Sequence, residues 1–201
     1  MGIHDAIRRR FHIHNGDLSP YVGWGSPTTR EDIGKLFGEL GYKLGAEVGV
    51  AHGTNAAMFF KHVPGLKLIC VDPWSAFGKN TDEHMENVYR NARKNLDGKD
   101  VVWKRTPSLD GAKEVEDGSL DFVYIDGLHD FDSVMVDIIT WTKKVRKGGI
   151  VSGHDFVYAP REGVVAAVTA YTKAHNVHHL YLTKERKECN SWFFVKEKNW
   201  R

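Results

Sequence analysis

One stretch constrains the fold of this chain more than any other: Gly45-Ala46-Glu47-Val48-Gly49-Val50-Ala51-His52-Gly53-Thr54-Asn55, running into Ala56-Ala57-Met58-Phe59-Phe60. A short apolar run ends in an acid, two glycines punctuate a turn, and a helical sequence follows. The glycines suit backbone that takes φ > 0 or passes close to another group. A helix starting there aims its unpaired N–H groups at whatever lies in front of the turn. One unit further on, Leu66-Lys67-Leu68-Ile69-Cys70-Val71-Asp72 is a second apolar strand ending in an acid. In nucleoside-binding α/β folds an acid there accepts hydrogen bonds from ribose hydroxyls. Before Pro73, Asp72 also fits a simple turn or cap.

The rest of the chain continues the alternation. Thr28-Thr29-Arg30-Glu31 reads as a capping box with Thr28 as N-cap, followed by Ile33, Leu36, Phe37 and Leu40 at helical spacing and by Gly41 as a stop. Met85, Val88, Tyr89, Ala92 and Leu96 mark a helix closed by Asp97-Gly98, and Val101-Val102-Trp103 a third strand. Leu120 to Asp126 forms a fourth. Val134, Ile138, Trp141 and Val145 give a helical stripe ending at Gly148-Gly149, with Lys143, Lys144, Arg146 and Lys147 where the helix dipole favours cations. The fifth strand is read at residues 149–152, a helix at 163–175, and two last strands at 178–183 and 191–195, joined by a charged hairpin loop. Strands alternating with helices predict a mainly parallel, doubly wound sheet, with an antiparallel hairpin at the C-terminal edge. Residues 1–27 show little periodicity and are read as an irregular arm, with Tyr21 and Trp24 suited to a lid; residues 28–201 form the domain.

Composition narrows the function classes. The 201 residues allow one domain with a sizeable core, and 41% hydrophobic and 27% charged residues are ordinary for a globular protein. A net charge of +2 gives no strong electrostatic case for nucleic acid or an anionic membrane. Arg8-Arg9-Arg10 reads as a solvated run. The two cysteines, Cys70 and Cys189, have no metal or redox spacing, and Cys70 reads as a buried, inert thiol. Without an apolar span or signal-peptide core, the expectation is a cytoplasmic enzyme.

The pattern over residues of about 30 to 196 resembles the class I S-adenosylmethionine (SAM)-dependent methyltransferases. The carrying elements are Glu47-Val48-Gly49 with Gly53, Asp72, Asp126-Gly127-Leu128-His129, Trp141, Gly148-Gly149 and Gly153-His154-Asp155. Together they are similar to the branch of small-molecule and sugar O-methyltransferases. That resemblance implies a seven-stranded Rossmann-like sheet whose reversed final strand lies beside the fifth. It implies that Glu47, Gly49 and Gly53 hold the methionine part of SAM, that Asp72 holds the ribose, that Ser108 approaches the adenine, and that Asp126 borders both cofactor and acceptor. Ser108 also fits an N-cap.

In catechol O-methyltransferase-like enzymes an acid at the position of Asp126 binds Mg²⁺, with an Asp-Asp or Asp-Asn pair after the fifth strand. This chain has His154-Asp155 there, a departure, because Mg²⁺ favours oxygen ligands and imidazole suits later divalent metals. Two readings stay open: Asp126 and Asp155 hold Mg²⁺, Mn²⁺ or a similar ion, with His154 as a third ligand or as a group supporting the ligands, or the histidines do acid–base work without metal. His129 stands where the catechol enzyme has its catalytic lysine, and it titrates near neutrality as a general base must. An N-terminal helix residue is the plain alternative. His178-His179 reads as no metal site, since neighbours on a strand face opposite ways.

The expected activity is methyl transfer to a hydroxyl of a sugar-like or phenol-like small molecule, with catalysis by His129 and Asp126. The expected partner is that acceptor alone, without nucleic acid or membrane, and a homo-oligomer is compatible with the sequence. Alternatives are a catalytically inactive SAM-binding subunit or sensor, and an N-methyltransferase. A base-modifying N-methyltransferase would carry Asn/Asp-Pro-Pro-aromatic where this chain has Asp126-Gly127-Leu128-His129. A nicotinamide-dependent oxidoreductase needs the different glycine spacing Gly-x-Gly-x-x-Gly.

Overall fold

A computed structural model describes residues 2–13, 28–157, 162–185 and 189–198. In chain order these form α1 (Ile3–Phe11), α2 (Arg30–Glu39), β1 (Leu44–Val48), α3 (Thr54–His62), β2 (Lys67–Val71), α4 (Asp82–Asn95) and β3 (Val101–Lys104). There follow α5 (Ser108–Lys113), β4 (Leu120–Ile125), α6 (Phe131–Lys144), β5 (Val145–Phe156), α7 (Glu162–Ala174), β6 (Tyr181–Leu182) and β7 (Asn190–Val195). The sheet order is β3-β2-β1-β4-β5-β7-β6. All neighbours as far as β5 are parallel, and β7 runs antiparallel to both β5 and β6. This is the doubly wound, seven-stranded arrangement expected, reversed final strand included.

The inner strands are near-continuous apolar runs because both sheet faces are covered. On one face Phe37 stacks on Phe122 with ring centroids 4.1 Å apart, within a core shared with α1, α3 and α4. On the other, Trp141, Ile138 and Val134 of α6 pack with Val123, Val151 and Trp192. The register then aligns the strand ends. Val48 lies opposite Val71 and Ile125, and Ile125 lies opposite Gly153. Asp72, Asp126 and His154, each one residue beyond, therefore emerge along a single edge of the sheet.

Several sequence expectations shift. Residues 3–11 form a helix rather than irregular arm, burying Ala6, Ile7 and Phe11, with Phe11 against Phe193. Tyr21 and Trp24 lie outside the described residues. The capping box belongs to Thr29, whose N–H donates to Asp32 at 3.0 Å. The Thr28 hydroxyl instead accepts from the Lys184 N–H. Val145 is the first residue of β5 rather than the end of the helical stripe, so Arg146 and Lys147 lie on a strand. Buried Lys196 supports that junction, donating to the carbonyls of Val145 and Lys143. His178 and His179 precede the short β6 instead of lying in it.

Candidate active site

The turn after β1 is held by its own neighbours. Gly49 has φ +84°, and a side chain there would overlap the Asp126 carbonyl, so glycine lets β1 and β4 end side by side. Gly53, the N-cap of α3, has φ +74°, and an added Cβ would stand 3.3 Å from the Ala92 Cα. Its close approach is thus to α4. Asp72 clasps the turn: one carboxylate oxygen accepts from the N–H groups of Val50 and Ala51, both at 3.0 Å, and the other from Trp74 N–H at 2.8 Å. The Trp74 indole N–H donates to the Ala51 carbonyl at 2.9 Å. These bonds hold Ala51 at φ 46°, a conformation costly for a residue with a Cβ.

Glu47 is 1% exposed. Its Oε1 accepts from Asn55 Nδ2 at 2.8 Å, while Oε2 has no hydrogen-bond partner among the described residues. Burial pushes its pKa up to about 8, against the lowering effect of Asn55, and the Asp126 and Asp72 carboxylates push the same way as burial. A cation near the turn would favour its ionised form.

Ser108 is the first residue of α5 rather than its cap. Its hydroxyl accepts from the Trp141 indole N–H at 2.8 Å and donates to Asp137 at 2.5 Å, tying α5 to α6. Asp137 carries no motif and escaped the sequence reading. Burial raises its pKa to about 6, opposed by the Ser108 bond.

At the ends of β4 and β5 the ionisable groups face one another. His129 Nε2 lies 2.9 Å from Asp155 Oδ2 and 3.8 Å from Asp126 Oδ1. His154 Nδ1 lies 3.5 Å from Asp155 and 4.0 Å from Asp126. Consecutive strand residues ordinarily point to opposite faces. Here the β5–β7 register breaks between Gly153 and Phe156, and Asp155 takes φ 58°. That bulge turns His154 and Asp155 to the same site. Burial pushes Asp155 up, but hydrogen bonds from His129 and His154 outweigh it and hold the carboxyl well below its ordinary range. The Cys189 thiol bonds to Asp155 as well, a contact no spacing rule could anticipate. A small cavity beside this cluster is lined by Asp126, Gly127, His129, His154, Val164 and Trp192. Gly163 lets α7 abut its rim, since a side chain there would overlap the His129 carbonyl.

The donor atoms of Asp126, His154 and Asp155 all lie within 4.8 Å of one another. His154 Nε2 is buried without a partner among the described residues. Two carboxylates and an imidazole at that spacing fit a divalent cation that accepts mixed oxygen and nitrogen ligands.

The methyltransferase-domain family matches residues 46–156, more than half of the chain. Among solved structures, the O-methyltransferase from Bacillus cereus in complex with SAH superposes with TM-score 0.63 at 14% identity, covering 96% of this chain and 90% of that one. The O-methyltransferase NovP gives TM-score 0.59 at 18% identity, covering 84% and 78%. The N-methyltransferase NodS from Bradyrhizobium japonicum gives 0.57 at 15%, covering 84% and 95%. No curated protein matches the chain.

Proposed function

The chain belongs to the methyltransferase-domain family, and we propose that it transfers the methyl group of SAM to a hydroxyl of a small acceptor, with His129 as general base. The observation that carries this reading is the His129–Asp155 pair, 2.9 Å apart at the carboxyl ends of β4 and β5. SAM supplies an activated methyl carbon and a good leaving group. The protein's share is to bind, align, deprotonate and exclude water, and alignment alone is worth effective molarities on the order of 10⁵ M or more.

Glu47 supports the cofactor side: its buried oxygen, without a hydrogen-bond partner among the described residues, lies behind a glycine turn that leads into a helix N-terminus. Asp72 keeps that turn in shape and is the proposed ribose anchor. Ser108 acts through α6, fixing Asp137 and Trp141 behind the adenine subsite rather than reaching the base itself.

On the acceptor side, a His129 Nε2–H that donates to Asp155 leaves the ring's lone pair on Nδ1 to take the hydroxyl proton. Asp155 then stabilises the imidazolium that forms, as in other Asp–His pairs. Leu128 and Phe131, 57% and 42% exposed, flank His129 and favour a phenol-like over a sugar-like acceptor. A divalent ion held by Asp126, His154 and Asp155 would supply positive charge that lowers the acceptor's hydroxyl pKa. The test is methyl-labelled SAM offered with paired phenol and aniline acceptors. Label on the phenol oxygen, lost in His129→Ala, supports the assignment; label on amines alone makes the chain an N-methyltransferase.

A further inference from the structure

Far from the sheet edge that carries the candidate active site, three segments of the chain bring together a second set of metal-type donors. His4 lies in the first turn of α1, His179 precedes β6, and Glu197 follows β7. His4 Nε2 lies 3.2 Å from Glu197 Oε1, and the His4 and His179 rings are 5.8 Å apart, tilted by 52°. One donor atom from each residue lies within 4.8 Å of the other two. A His–Glu hydrogen bond alone would explain two of the three. It does not explain why a second imidazole from a distant segment converges on the same point.

We propose that His4, His179 and Glu197 form a divalent-cation site of zinc type that clasps α1 to the β6–β7 edge. Two imidazoles and one carboxylate are a donor set that Zn²⁺ takes in tetrahedral geometry, with water in the fourth position. At bond lengths of about 2.0–2.2 Å, tetrahedral ligand atoms stand roughly 3.4 Å apart. The His4–Glu197 pair already meets that spacing. His179 is exposed and needs a side-chain shift on the order of 1 Å to join them. Hard oxygen-seeking ions such as Mg²⁺ fit poorly, because two of the three donors are nitrogen. His178 and Arg8 both stand near enough to His179 to act on its charge, and Arg8 opposes a cation without supplying a ligand.

The consequence is mechanical. A clip between residues 4, 179 and 197 closes loops that span nearly the whole chain, where cross-links restrict the unfolded ensemble most. It would add to the anchoring of α1 that Ala6, Ile7 and Phe11 provide by burial.

The test uses the untagged full chain, stripped with chelator, in an Asp126→Asn, Asp155→Asn background so that the other donor set loses both carboxylates. Zinc titration is read by calorimetric stoichiometry and by the melting temperature. The expected result is one equivalent bound with a raised melting temperature, and loss of that equivalent, or at least about tenfold weaker affinity, on adding His179→Ala. Glu197→Gln, at an exposed position, is the second variant, and it should weaken zinc in the same direction. Equal stoichiometry and an equal thermal shift with and without His179→Ala would overturn the proposal. So would absence of zinc binding in the Asp126→Asn, Asp155→Asn background, since that leaves only a His–Glu pair.

Discussion

The β1–β2 end and the β4–β5 end of the same sheet edge are built on opposite plans. At β1–β2 the polar groups bind the protein's own backbone: three N–H groups converge on Asp72, and Trp74 closes the turn from outside. At β4–β5 the ionisable side chains bind one another, His129 and His154 both leaning on Asp155 within reach of Asp126. The first plan yields a rigid, preorganised cradle. The second yields groups whose protons and partners can be exchanged, which a reacting centre needs and a cofactor cradle does not. Mutations at the two ends should therefore fail in different ways.

The sharpest break comes from metal removal. If Asp126, His154 and Asp155 hold an ion, methyl transfer falls to background in EDTA and returns with Mn²⁺ or Mg²⁺, while SAM affinity measured by calorimetry is unchanged. Full turnover in chelator, with Asp126→Asn still active, would leave acid–base work as the sole task of this end.

Next in size is His129→Ala. Losing a general base costs about 10²–10⁴ in rate, so kcat should fall by that factor with SAM affinity nearly intact. Asp155→Asn should lower kcat in the same direction, because the imidazolium loses its partner. A His129→Ala protein with wild-type kcat from pH 6 to 9 would remove the assignment.

At the other end, Asp72→Ala should weaken SAM by at least about tenfold, the equivalent of one charged hydrogen bond of roughly 1.5–3 kcal/mol. Unlike the His129 variant, it should also lower the melting temperature, since three backbone N–H groups lose their acceptor. Unchanged affinity together with unchanged melting would contradict the clasp seen around the turn.

The same contrast explains what the sequence could reveal. Glu47, Gly49, Gly53, Asp72 and Asp126 were legible because strand-end acids and glycine turns carry local signals, and parallel register aligns the ends. The turning of the His154 and Asp155 side chains to the same site carries no local signal. It depends on a bulge set by pairing with β7, thirty or more residues away in the chain, whereas His178-His179 has no such bulge and only His179 joins a cluster. The capping box slipped by one residue because Thr28…Glu31 and Thr29…Asp32 satisfy the same pattern, and only tertiary contact with Lys184 separates them. Helix α1 was missed although Ile3, Ile7 and Phe11 recur every four residues; the unpatterned residues that follow diluted the stripe. Asp137, buried in mid-helix beside Ser108, announces itself only through packing.

Asp137, which joins α6 to α5 through the Ser108 hydroxyl, provides the smallest expected effect. Its folded-state pKa of about 6 is above the unfolded carboxyl value near 4. Between those two pH values the unfolded chain has released the proton that the folded chain still binds. Stability therefore falls as pH rises from about 4 to 6, and at neutral pH the folded protein carries the cost of a buried carboxylate. Two units correspond to about 3 kcal/mol, and discounting for residual solvation leaves roughly 1–2 kcal/mol. Asp137→Asn keeps an acceptor for the Ser108 hydroxyl and removes the charge. The variant should melt a few degrees higher than wild type at pH 7, at about 2–4 °C per kcal/mol for a chain of this size, and the difference should vanish near pH 4. A variant that melts lower at pH 7, or a gap that does not change with pH, would mean that Asp137 is ionised at little cost and that the Ser108–Asp137–Trp141 link is stabilised by its charge.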